Sequence, residues 1–202
     1  MKYRIFVLLL LFAFTNISCS IFQTIANISR LKFKLGTVNN FRIADIPVSN
    51  KSRLSDFTAA DILKVTSAIA RGNLPVTFAL NINAKNPNDG TGGYPSTNVQ
   101  LASFPWRLLI NDKETIQGNI SAPISVPGTG QETVFPLTMS LDLVKFFGKG
   151  NYQDLLTLAL SIGGVGGSSS KLTMYAQPTI SSSIGNIKYP SEIKIVNMTY
   201  TN

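Results

Sequence analysis

Residues 75 to 85 alternate with a period of two. Val76, Phe78, Leu80, Ile82 and Ala84 fall on one parity, and Thr77, Asn81, Asn83 and Lys85 fall on the other. A two-residue period held over this length specifies a strand with one buried and one wet face, as antiparallel sheets have. The run stops at Asn86-Pro87-Asn88-Asp89-Gly90. Proline there removes an amide donor, and Asn and Gly tolerate the left-handed backbone of a turn.

The rest of the chain reads as strands with a few helices between them. Leu31, Phe33 and Leu35 alternate with Lys32 and Lys34, and Phe41 to Ile46 forms a second short strand. Residues 56 to 71 are expected to be helical, capped by Asp56 or Thr58, with an apolar stripe of Ile62, Val65 and Ile69 that Leu63 can join. Val99 and Leu101 share one parity, whereas Phe104, Trp106, Leu108 and Ile110 share the other, a slip that marks a bulge near Ala102-Ser103 or a bend at Pro105. Glu114 to Gly118 and Thr133 to Met139 are further strands, and Pro123 to Gln131 is a loop. Leu141 to Phe147 and Tyr152 to Ile162 are apolar at helical spacing, with Gly148-Lys149-Gly150 between them; Lys171 to Ile180 and Ile187 to Tyr200 close the chain as strands. Seven or eight strands with turn signals every 8 to 15 residues or so favour an antiparallel sandwich over βαβ units.

The N-terminus carries an address. Lys2 and Arg4 precede an apolar run from Ile5 to Phe14, which Asn16-Ile17-Ser18-Cys19-Ser20 ends. About ten apolar residues are too few to cross a ~30 Å hydrocarbon core, so this is a signal peptide layout. Cys19 is the only cysteine in the chain. Its place resembles a bacterial lipoprotein lipobox, in which the cysteine is acylated and becomes the first mature residue. Ile17 and Ser18 fit that motif, Asn16 stands where leucine is usual, and cleavage near Ser20 is the alternative. The expected organisation is a signal peptide over 1–18, a lipidated Cys19 with a tether over 19–30, and one domain over 31–202. The expected location is the envelope of a diderm bacterium, lipid-anchored in the outer membrane on its periplasmic or surface face.

Composition narrows the chemistry. Loss of Lys2 and Arg4 lowers the formal charge from +8 to +6. The basic residues are scattered and not interleaved with aromatics, so no nucleic-acid footprint is present. The surplus fits a solvated surface, with anionic headgroups as the alternative. No cysteine remains for disulfides once Cys19 is acylated, so the apolar core must hold the fold. The chain has no histidine, which removes His-based triads and, with Cys19 acylated, most zinc sites. Ser168, Ser169, Ser170 and Lys171 invite a Ser-Lys dyad, but after Gly163-Gly164-Val165-Gly166-Gly167 they read more simply as a linker. Asp89 with Asn86 and Asn88 offers oxygens to calcium, yet the segment is first a turn. An enzyme is not expected, and neither a metal nor a cofactor is expected.

Residues 76 to 139 resemble the LEA14-like family, also called the WHy (water stress and hypersensitive response) domain. The match rests on Asn86, Pro87 and Asn88 after the alternating strand, Trp106 to Asn111 and Gly118 in the next hairpin, and Pro127, Gly128, Gly130 and Thr133 in the following loop and strand. The helix at 56 to 71 and the loop Asp89 to Ser96 depart from the family pattern. The resemblance implies an immunoglobulin- or fibronectin-III-like antiparallel β-sandwich, here with two or three inserted helices. It also implies no catalytic activity and a role in protection from water stress. Asn86 is then expected to tie down backbone at the strand end, and Trp106 to sit in the sandwich core. The functional expectation is a protective or structural envelope lipoprotein whose partner is the membrane. The alternative is a module for a lipid or other apolar ligand, with a groove lined by Ile62, Val65, Ile69, Phe78 and Trp106; a protein partner at a strand edge is a third.

Overall fold

The alternating segment is strand β3 (Pro75–Lys85), and it lies at the centre of the first of two layers. The computed structural model describes residues 30–48, 51, 53–93, 95–164, 170–182, 185–196 and 201. In the first layer β3 pairs on one side with β1 (Lys32–Ile43), which a tight turn joins to β2 (Ile46–Pro47), and on the other with β8 (Glu132–Asp142). The β3–β8 register runs unshifted from Pro75↔Asp142 to Lys85↔Glu132. Pro136 interrupts nothing because β8 is an edge strand.

Residues 31 to 46 are not two short strands separated in the middle. Residues 32 to 43 form the long β1, whose pairing with β3 shifts between Leu35 and Val38 and again between Asn39 and Arg42, and Ile46 opens β2 after the turn. Those bulges scramble the alternation, and Asn40 takes a left-handed φ of 52° at the second.

The second layer is broken across its middle. Strands β4 (Val99–Ser103), β7 (Ile124–Val126), β10 (Thr179–Ser182) and β11 (Gly185–Lys188) form one half, in the order β11-β10-β4-β7. Strands β5 (Trp106–Ile110), β6 (Lys113–Gly118), β9 (Leu172–Ala176) and β12 (Ile193–Ile195) form the other, in the order β12-β9-β5-β6. All pairs are antiparallel. Each chain path crosses between halves through a proline: Pro105, Pro123, Pro178 or Pro190. Proline cannot donate to a ladder, so the sheet folds along this row. Counted by path, the described residues give the eight strands the turn spacing implies, and counted by segment they give twelve.

Side chains repair the backbone at the break. Phe104 N donates to Asn119 Oδ1 at 2.6 Å, and Ile120 N donates to the same oxygen at 2.9 Å. Gln177 N donates to Pro105 O at 2.9 Å, while Gln177 Nε2 donates to Tyr189 O at 2.9 Å. The expected bulge is also present: Ser103 pairs with Thr179 but Leu101 pairs with Ile180.

Apolar faces of the two layers meet in one core. Phe104, at the fold line, contacts Phe33 of β1 at 5.4 Å and Phe135 of β8 edge-on at 5.6 Å between ring centroids. Such tilted pairs add roughly 0.5–1.5 kcal/mol each beyond burial. One side of the sandwich is sewn shut, since Leu35 N donates to Val196 O at 2.9 Å and Thr201 N to Phe33 O at 3.0 Å. The opposite side lies between edge strands, β8 of one layer and β6 and β7 of the other. The architecture is therefore a mainly β, antiparallel sandwich with inserted helices.

Helix α1 (Ala59–Ala70) starts where Thr58 accepts from Asp61 N and Asp61 accepts from Thr58 N, a reciprocal capping box. Val65 and Ala68 are its buried residues, whereas Leu63 is 67% exposed. Helix α2 (Leu143–Phe147) begins two residues later than the apolar spacing implies. Asp142 ends β8 and caps the helix, accepting from Val144 N at 3.0 Å and from Leu74 N at 2.9 Å. Helix α3 (Tyr152–Ile162) has the expected bounds, with Asn151 accepting from Asp154 N at 2.9 Å. No helix among the described residues is long and apolar enough to cross a membrane.

Candidate functional site

The turn after β3 is the best-defined polar centre. Asn86 and Asn88 have no exposed surface, although both types usually sit at the surface. Asn86 Nδ2 donates to Thr97 O at 2.7 Å and to Val126 O at 3.0 Å, and Asn86 Oδ1 accepts from Asn88 N at 3.1 Å. Its own carbonyl accepts from Gly130 N at 3.2 Å. Both amide protons and the side-chain oxygen are thus used, so the residue is an internal tie between β3 in one layer and β4 and β7 in the other. Pro87 fixes the bend between the two asparagines.

Asn88 extends the tie. Thr97 N donates to Asn88 O at 3.0 Å, and Arg30 Nη1 donates to Asn88 Oδ1 at 2.9 Å, fastening the chain where it enters β1. The neighbouring loop closes against the same backbone: Gly128 N donates to Asn98 Oδ1 at 3.0 Å and Ser96 Oγ donates to Gly128 O at 3.0 Å. A Cβ at position 128 would lie 2.4 Å from Asn88 O and 2.6 Å from Thr97 O, which explains why glycine occupies it. The Asp89 carboxylate accepts from Thr91 N at 3.0 Å and Thr91 Oγ1 at 2.6 Å, and these bonds hold its pKa below the usual range. With Asn88 facing a guanidinium and Asn86 consumed by backbone, the three oxygens considered for calcium do not form a cation cradle. No group of three acidic or thiol side chains is placed to hold a metal among the described residues.

A second feature lies on the open side. A groove of about 410 Å³ runs between the β6–β7 connection and the middle of β8, with Trp106, Ile120, Ile124, Phe135 and Leu137 among its walls. Trp106 is buried to 7% exposure, as expected of a core residue, but its Nε1 has no hydrogen-bond partner among the described residues. Buried indole N–H groups usually find an acceptor. A Cβ on Gly118 would come within 2.6 Å of Trp106 Cζ2, so the absence of a side chain at 118 seats the ring.

The five residues expected to line one groove do not do so together. Val65 and Phe78 are core residues, and Trp106 opens onto the β6–β8 side instead. The shallow surface beside α1 is lined by Leu63, Lys64, Arg71 and Asp45 among others. Cys19, the signal segment, and Ser168 and Ser169 lie outside the described residues. Ser170 Oγ lies 2.6 Å from Ser161 Oγ, and Lys171 Nζ is 2.8 Å from Asp112 Oδ1, which turns the lysine to an ion pair. Asn119, Gln177 and Asp142 carry structural work that the sequence reading missed. A polar residue beside a proline-broken strand was the available signal for the first two.

No family model matches the chain, and no curated protein matches it. Two solved structures are similar to it. One is a protein from Archaeoglobus fulgidus, 11% identical, with a TM-score of 0.30 over 62% of this chain and 87% of that one. The other is a Bordetella pertussis protein assigned as ApaA, 12% identical, with a TM-score of 0.34 over 82% of this chain and 94% of that one. Both scores are too low to define a common fold.

Proposed function

We propose that this chain is a non-enzymatic, membrane-anchored envelope lipoprotein with a LEA14-like domain, protective or structural under water or envelope stress. The observation that carries the reading is the use made of Asn86, Pro87 and Asn88. Asn86 and Asn88 are buried, Asn86 is spent on backbone that joins the two layers, and Asn88 is spent on Arg30. A scaffold whose signature is internal offers a stable surface rather than a reacting centre. Cys19 supplies the anchor in this reading, and the membrane is the partner. A deletion strain is expected to survive drying or osmotic shock less well, and a Cys19→Ala chain should rescue it poorly because the protein leaves the membrane fraction. Equal survival of deleted and parent strains would remove the protective role.

The groove at Trp106 favours a second reading, a module for a lipid or other apolar ligand. Its volume lies within the range of about 300–1,000 Å³ common for small-molecule sites, and Trp106, Ile120, Ile124, Phe135 and Leu137 give it apolar walls. Native mass spectrometry of the chain from Ser20 onward decides this point. A displaceable adduct of lipid mass supports a ligand, and a bare mass from the chain exported and purified without detergent rejects it.

A further inference from the structure

The outer face of the first layer concentrates unbalanced positive charge. Lys32 and Lys85 are direct cross-strand partners in the β1–β3 ladder and so emerge on the same face. Two like charges placed opposite each other destabilise a strand pair. Neither lysine makes an ion pair among the described residues, although Glu132 is the cross-strand partner of Lys85 on its β8 side. Lys34 lies two residues along β1, bridged to Glu132 of β8 at 2.9 Å, and Arg42 follows on the exposed parity of the same strand. The polar face of β1–β3–β8 thus carries four cations against Glu132 and, at the far end of β8, the helix-capping Asp142, with neutral Asn81, Asn83, Thr138 and Ser140 between and beside them. The second layer differs at its central cation, although Lys188 and Lys194 there make no ion pair among the described residues either. There Arg107 is neutralised by Glu114 at 2.7 Å and Glu192 at 2.9 Å, and its guanidinium stacks over Tyr175.

We propose that the outer face of the first layer, centred on the Lys32–Lys85 pair, docks on an anionic lipid surface, with headgroup phosphates bridging the two ammonium groups. The choice of a lipid over another polyanion rests on the anchored reading. β1 begins at this end of the face, and a tether of eleven residues reaches at most about 40 Å, so an anchor at Cys19 keeps the face within range of headgroups. A phosphate between the lysines converts a repulsive pair into a charge-assisted bridge.

The test uses the chain from Ser20 onward, which retains every core side chain, since these lie between Leu31 and Ile195. Its binding is measured by co-sedimentation with vesicles of phosphatidylglycerol and phosphatidylcholine, against vesicles of phosphatidylcholine alone. Lys32→Gln with Lys85→Gln should weaken binding on the order of thirtyfold, at about fivefold per lysine. Lys188→Gln with Lys194→Gln removes the same charge from the other layer and should change it less than about threefold. The first double variant should also melt slightly higher than the parent, by a degree or two on the order expected for relieving one like-charge pair, which excludes unfolding as the cause of its loss. Equal losses for both double variants would reduce the effect to net charge and overturn the proposal. So would binding to heparin without binding to anionic vesicles, or equal binding to neutral vesicles. A Cys19→Ala protein that leaves the membrane fraction while the soluble chain ignores vesicles would keep the anchor and discard this face. The reverse pattern would keep the face and discard the anchor.

Discussion

The two layers of this sandwich solve the same problem in opposite ways. In the first, β3 and β8 run in unbroken register, and the outer face carries more cations than its carboxylates pair. In the second, every path is cut by a proline, yet its outer face is a closed network around Arg107. Long ladders satisfy their own backbone and leave the side chains free for something outside. A folded ladder must spend side chains such as Asn119 and Gln177 on backbone the prolines strand. Continuity within a layer is what frees its surface.

The sharpest way to break this comparison is at the tie between the layers. Asn86→Ala leaves two carbonyls and one amide without partners in a fully buried place, and it should cost about 3 kcal/mol or more in urea unfolding. A loss under about 1 kcal/mol would mean the layers do not depend on this tie. Asn119→Ala comes next, at about 2 kcal/mol, because it strands Phe104 N–H at the fold line. If Pro105→Ala costs more than Asn119→Ala, then the proline and not its repair determines the break. Gly118→Ala tests the open side: a methyl 2.6 Å from Trp106 Cζ2 should cost about 1–3 kcal/mol and quench or shift the single tryptophan's fluorescence.

The contrast also explains what was legible in the sequence. β3 could be read to the residue because its two-residue period is local and its ends are marked by Pro75 and by Asn86-Pro87. α3 was equally plain, with Gly150 and Asn151 before it and Gly163 after it. The slip between Leu101 and Phe104 was visible, but it holds both a bulge and a change of sheet half, and the matching break at Pro178 lies more than seventy residues away. β7 hides inside a proline- and glycine-rich loop because three residues cannot show a period. β1 looked like two strands because bulges reverse the parity within it. At the polar turn, Asn86 was legible as a tie, whereas its partners Thr97 and Val126 depend on pairing between layers, which no local pattern encodes.

The smallest effect belongs to the helix cap, and it fixes the pH behaviour. Asp61 accepts from Lys51 Nζ at 2.9 Å and from Thr58 N at 3.0 Å, and these bonds, the lysine's foremost, lower its pKa from 3.8 to about 2. In the unfolded chain the carboxyl takes its proton near 3.8, so the folded state binds fewer protons between that value and about 2. The stabilisation is therefore complete above pH 3.8 and drains away as the pH falls toward about 2. Asp61→Asn should flatten that part of a plot of melting temperature against pH, leaving the shallower slope from Asp89 and Glu192, whose pKa values are also lowered. Thr58→Ala should lower stability by about 1 kcal/mol at neutral pH, because it removes the other half of the capping box. If the acid slope survives Asp61→Asn unchanged, acid sensitivity lies with Glu192 on the second layer, and the charge network of that layer matters more than its exposed position suggests.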